Sequence, residues 1–210
     1  MSILVLHDAD FGAAVAARLR SALPGTVTRR LDGWPDLTAL DTLIAAHDRV
    51  VFAWSRPVRR LESAVDSAVL RHGKTLLPIV AEAMTARVGP LLGPSSTATV
   101  DCYYRRRAQR AGAHADLGVV HDHLDDHPVG EPAGHLGATV AVVCGLAGRL
   151  LGEDPVEPRV VLLQPHLGDA MSSVLLGVHG NARSRSPFPA DQRTFARLRG
   201  LILDTLEATA

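Results

Sequence analysis

Three short stretches carry residue types that could do chemistry. The first is "HDADFG", His7 to Gly12, at the turn after an apolar run. A dinucleotide site at such a turn needs Gly-x-Gly-x-x-Gly, so that the backbone turns sharply and meets phosphates at a helix N-terminus, with an acid about 20 residues further on for the ribose. Here only Gly12 stands where the last glycine would be; His7 and Ala9 hold the other two positions, and Asp8 and Asp10 put negative charge where phosphate would sit. Asp32 matches the ribose acid in spacing, although "LDGWP" is also an ordinary turn. The favoured reading is a Rossmann shape with a dead phosphate loop, and nucleotide binding at Gly12 and Asp32 is the alternative.

The second stretch is "HADLGVVHDHLDDH", with His114, His121, His123 and His127 among Asp116, Asp122, Asp125 and Asp126. Imidazole and carboxylate suit zinc or iron, and His123 and His127 are spaced to share one helical face. A metal-dependent hydrolase would use such a cluster; a polar, solvated helix end before Pro128 is the plainer reading. The third stretch, "DCYYRRRAQRAG", places one cysteine ahead of an arginine-rich run. Arg105, Arg106 and Arg110 would present guanidinium forks at the head of a helix and hold acidic side chains of a peptide or partner. Cys102 beside arginines could have a lowered pKa without being a nucleophile, and no Gly-x-Ser-x-Gly elbow occurs in the chain.

The elements that must position these residues alternate. "ILVLH" reads as a buried parallel strand, and the following helix carries Phe11, Val15, Leu19 and Leu23 on one face, capped by Asp8 or Asp10 and stopped at Pro24-Gly25. "TVTRRL", "RVVFAW" and "TLLPIVAE" are further strands, separated by helices opened by Asp36 and by Pro57. Alternation every 20 to 25 residues predicts a parallel sheet with right-handed crossovers over residues 1–85. From Arg87 the pattern breaks into a Gly/Pro/Ser-rich crossover and two short helical or irregular pieces. A Gly/Ala-rich helix follows from His135 to Gly152, then a strand pair, "PRVVLLQP" and "MSSVLLGVHG", read as antiparallel, and a final amphipathic helix opened by Pro189. The expected fold is one α/β domain over 1–210: a Rossmann-like sheet with helices on both faces and an elaborated half at 86–210.

Bulk composition narrows the partners. With 210 residues, 47% hydrophobic and 21% charged, the chain can bury a full core. Twenty-two basic and 22 acidic side chains balance, so no overall field draws nucleic acid or an anionic membrane. The start shows no export signal and no segment approaches the length of a membrane span, which predicts a cytoplasmic protein with Cys102 and Cys144 as free thiols. Lys74 is the single lysine.

The order of these parts, with "DRVVFAW", "LESAVDSAVLRHGKTLLPIVAEAMTARVGPLLGP", the Cys-led arginine helix and "VLLQPHLGDAMSSVLLGVHG", resembles the ThiF-like partner proteins of YcaO enzymes, relatives of ubiquitin-activating enzymes. The resemblance implies a subunit that helps present a ribosomally made precursor peptide to a YcaO-family enzyme, which forms azoline, thioamide or amidine groups. It also implies a structural zinc on two Cys-x-x-Cys pairs, from which this chain departs. Cys102 stands at the first position, Arg105 at its partner's, and the second pair would fall near "VHGNARSR", where His179 remains without a cysteine. Four thiolates hold such a zinc and one cannot, so Cys102 reads as a degenerate zinc position or as a small buried residue, and no metal or cofactor is expected.

Two further departures shape the expectation. Family members that bind a leader peptide usually do so with a winged-helix module ahead of the Rossmann half, which this sequence does not show. The adenylation residues of activating enzymes are also not recognisable as a set. The reading is a noncatalytic scaffold that docks on the YcaO enzyme, with the Gly/Ala-rich helix and "FARLRGLILDTL" as docking faces or as the faces of a homodimer.

Overall fold

A computed structural model describes residues 1–82, 84–111, 116–128, 134–153 and 157–178. The final helix expected from Pro189, together with His114 and His179, lies outside the described residues.

Seven strands form one sheet in the order β2-β1-β3-β4-β5-β6-β7. β1 (Ile3–His7), β2 (Thr26–Arg30), β3 (Arg49–Trp54) and β4 (Thr75–Glu82) are parallel, and β5 (Thr85–Val88), β6 (Arg159–Gln164) and β7 (Asp169–Val174) continue it antiparallel. The fold is thus α/β and Rossmann-like, with a parallel half and the antiparallel pair expected from the sequence. β5 was not expected. Its four residues fall where alternation ends, and they fold straight back on β4, pairing Glu82 with Thr85.

Both faces are covered, which explains why the inner strands are continuous apolar runs rather than alternating ones. In β1, Leu4 and Leu6 join one core while Ile3 and Val5 join the other. The first core lies under α2 (Leu37–Ala45), α3 (Arg59–Arg71) and α4 (Val100–Ala111); the second lies under α1 (Phe11–Ala22) and α6 (Gly137–Leu151), which pack on each other. α5 (Asp116–Asp126) contacts α3. Among the described residues, no helix is long and apolar enough to cross a membrane.

The joint between the two halves is Val88-Gly89-Pro90, with a cis peptide bond at Gly89-Pro90. Gly89 has φ 96° and a Cβ there would run into the carbonyl of Arg159, so β5 meets β6 at this closeness only with glycine.

Candidate functional site

The C-terminal ends of β1 and β3 flank the point where strand order reverses, the usual ligand crevice of an open α/β sheet. In this chain the crevice is filled by the chain's own groups. Asp8, 3% exposed, accepts hydrogen bonds from the Ser55 amide (2.8 Å) and the Ser55 hydroxyl (3.0 Å). Burial pushes its carboxyl up to about 6, against the lowering pull of the Ser55 groups and Arg56. Asp10 stands at the N-cap position of α1 with φ 52°, yet its side chain makes no cap bond. It accepts instead from the Gly134 amide and from His135 Nδ1, both at 2.8 Å. Gly12 keeps α1 tight on the sheet, because a Cβ there would strike the Asp8 carboxylate and the Ala53 carbonyl. This is the packing role of the last glycine in a dinucleotide turn, here without the two glycines that admit phosphate.

Asp32 follows β2, next to Leu31, whose amide donates to the His7 carbonyl at 2.9 Å, and is ion-paired to Arg30 at 2.6 Å. Both line an open cavity of about 590 Å³ with Trp34 and Leu43.

The histidine and aspartate run acts as a brace. Asp125, 2% exposed, accepts the Arg60 amide at 2.8 Å and so caps the N-terminus of α3 from another helix. Its carbonyl accepts Trp34 Nε1–H, and the Pro128 carbonyl accepts Trp54 Nε1–H at 2.9 Å. Trp54 is fully buried and stacked on Phe52 at 4.6 Å. His123 and His127 do share a face, their rings 4.7 Å apart, and both are exposed. Among the described residues no cluster of three or more His, Cys, Asp or Glu side chains could hold a metal ion. His121's side chain lies outside them.

Cys102, in the first turn of α4, is fully buried and exchanges a hydrogen bond with the Thr99 hydroxyl at 3.3 Å. Its Sγ also accepts the Val178 amide at 3.3 Å, and Arg106 donates to the Gly177 carbonyl at 3.4 Å. Val178, the first residue of the stretch that the resemblance would join to Cys102 through zinc, is therefore hydrogen-bonded to Cys102 directly.

The three arginines do not stand at the head of the helix. α4 begins at Val100, which puts Arg105 and Arg106 in its middle and Arg110 in its last turn. Arg105 is exposed, Arg106 half-buried, and Arg110's side chain lies outside the described residues.

Beneath them is a charged network that the sequence reading missed. Arg87, on β5 and fully buried, binds both oxygens of Glu62 (2.9 and 2.8 Å), Glu82 (3.3 Å) and the Gly89 carbonyl (2.8 Å). Its guanidinium lies 4.4 Å from the ring centroid of Tyr103. Tyr104 donates to Glu62 at 2.7 Å, Tyr103 to Glu82 at 3.3 Å, and Arg107 closes the ring onto Glu82 and the Tyr103 hydroxyl. Burial pushes Tyr103 up to about 12 and Tyr104 well above the usual tyrosine value; it also raises Glu62, with Arg87 pulling the other way. The available signals were Arg87 within a strand, Glu82 ending an apolar run, and the i, i+4 spacing of Tyr103 and Arg107.

Next to this network α4, β6 and β7 enclose a cavity of about 490 Å³ that Arg106, Arg107 and Tyr103 line together with leucines and valines.

No known protein family matches the chain by sequence, and no curated protein does. Solved structures do match. A heterocyclase in complex with substrate and cofactor aligns at TM-score 0.57 and 14% identity, over 89% of this chain and 25% of its own. The heterocyclase TruD aligns at 0.53 and 14%, over 84% and 26%. The E. coli microcin synthetase McbBCD complex aligns at 0.54 and 11%, over 87% and 68%. The chain therefore spans about a quarter of the length of the two heterocyclases. At these identities the likeness is one of fold, shared across nearly all of this chain with heterocyclase and microcin synthetase proteins.

Proposed function

We propose that the chain is a noncatalytic, ThiF-like partner subunit that docks on a YcaO-family enzyme in the cytoplasm and supports its modification of a ribosomally made precursor peptide, by azoline, thioamide or amidine formation. The observation that carries the reading is the shared fold with heterocyclase and microcin synthetase structures over 84 to 89% of the chain. The β1–α1 turn supports the noncatalytic part: Asp8 and Asp10 put two carboxylates where phosphate would sit, held by Ser55, Gly134 and His135. On this reading the chain contributes surface and the partner enzyme contributes chemistry.

Tagged chain, drawn from its native cytoplasm, is expected to bring down a YcaO-family enzyme, and ATP titrated into the isolated chain is expected to give no saturable heat. Saturable ATP binding without a partner would overturn the reading. It would favour the second one, a nucleotide-dependent enzyme, for which the open cavity beside Asp32 is the supporting observation.

A further inference from the structure

We propose that the cavity between α4, β6 and β7 binds an acidic side chain of an extended peptide, with its carboxylate on Arg106 and the flanking aliphatic side chain against Leu162, Val174 and Leu176. The inference rests on the partner-subunit reading for the source of the peptide, and on the following geometry for the site.

The charges around the cavity do not cancel. Glu62 and Glu82 are matched by Arg87 and Arg107, each bonded as described. Arg106 is the third guanidinium, and among the described residues its acceptors are neutral: Gln109 Oε1 at 3.2 Å and the Gly177 carbonyl at 3.4 Å. Its Nε–H is shut off from solvent and has no acceptor among the described residues. A half-buried guanidinium with an orphan donor and, among the described residues, no counter-charge is costly on its own. A carboxylate brought against it, on a small turn of the side chain, supplies the missing acceptor and the missing charge in the bidentate geometry that guanidinium favours. Glu82 also lines the cavity, but its charge is already taken by two arginines.

The remaining wall sets the neighbour of that carboxylate. Val160, Leu162, Val174, Leu175 and Leu176 give an apolar floor and side, with Leu176 67% exposed and Val174 44%. At about 490 Å³ the space lies within the 300–1,000 Å³ typical of small-ligand sites and takes a few side chains, not a folded element. A free inorganic anion would leave this apolar wall unused, and a purely aliphatic segment would bring no acceptor to the Arg106 Nε–H.

The test uses the full chain and an end-capped, fluorescein-labelled nonapeptide with a central Leu-Glu-Leu, read by fluorescence anisotropy. Two comparison peptides carry Gln in place of Glu, or an acid only as the free C-terminal carboxylate. The Leu-Glu-Leu peptide is expected to saturate and to bind roughly tenfold tighter than the Gln peptide. Arg106→Gln should abolish that difference, while Arg105→Gln, at the exposed neighbour, should keep it. If Arg106→Gln does not fold by its thermal transition, Ser173→Trp, which fills the cavity from an exposed strand position, should give the same loss. Equal affinity for the Glu and Gln peptides, unchanged binding by the variants, no saturation, or binding of the C-terminal carboxylate alone each overturn the proposal. Co-purification of a YcaO-family enzyme is read separately, so its absence counts against the partner reading while the titration judges the site.

Discussion

Arg87 and Glu62 meet in the centre of the molecule, guanidinium to carboxylate at 2.8 and 2.9 Å, with neither side chain exposed at all. They join β5, where the parallel sheet turns antiparallel, to α3, and Tyr104 on α4 closes the same carboxylate. A buried pair of this kind adds little net stability over apolar residues of the same shape, but losing one partner strands a charge. Arg87→Met should therefore cost about 3–5 kcal/mol in chemical denaturation. The double variant Glu62→Leu with Arg87→Met should recover much of that loss. Equal costs for single and double variants would show that the pair is not the cause.

Asp8 predicts a pH dependence with a defined sign. Its folded pKa of about 6 stands above the ordinary 3.8, so the folded chain binds the extra proton. Its contribution is fully present below the ordinary value and is lost as pH rises through about 6, a loss of about 3 kcal/mol by neutral pH. Asp8→Asn accepts the Ser55 amide and donates to the Ser55 hydroxyl, so it should gain stability relative to the native chain between pH 4 and 7. Urea midpoints measured across that range check it; parallel curves for the two proteins would refute it.

Gly12→Ala sets a methyl group against the Asp8 carboxylate and the Ala53 carbonyl, one of them backbone that cannot swing away. A loss of about 1–3 kcal/mol is expected, with a lower thermal midpoint. Gly145→Ala, where nothing lies within 4 Å, is the control and should be neutral or slightly stabilising, as expected within a helix.

If Cys102 serves as a packed hydrogen-bond acceptor and not as a metal ligand, chelation should leave the thermal midpoint unchanged. Cys102→Ala should lower stability by about 1–3 kcal/mol, because the Val178 amide loses its acceptor and the core loses a sulfur. A drop on chelation of the native chain, abolished in Cys102→Ala, would reverse this reading.

The parallel half was legible because its strands are buried on both faces and its helices carry their own stops; Asp36 caps α2 through the Thr38 amide as its position suggested. β5 was hidden because four residues are too few to show a period, and its central charge, Arg87, looks like surface until Glu62, 25 positions away, is seen beside it. The same distance problem concealed Asp125, which serves a helix 65 residues earlier. Arg106 was singled out by type, but what distinguishes it from Arg105 is the face of α4 on which it falls, and that depends on where the helix begins. Side chains whose partners are close in the chain could be read, and those whose partners are distant in the chain could not.

The two thiols sit on opposite sides of the sheet, Cys102 in the core under α3 and α4 and Cys144 in the core under α1 and α6. Burial pushes Cys144 up to about 11, which leaves scarcely any thiolate to react. Each layer therefore carries one native reporter of its own opening. Labelling rates followed by mass spectrometry would separate breathing of one layer from breathing of the other, and a partner seated over α4 would slow Cys102 while leaving Cys144 as an internal clock.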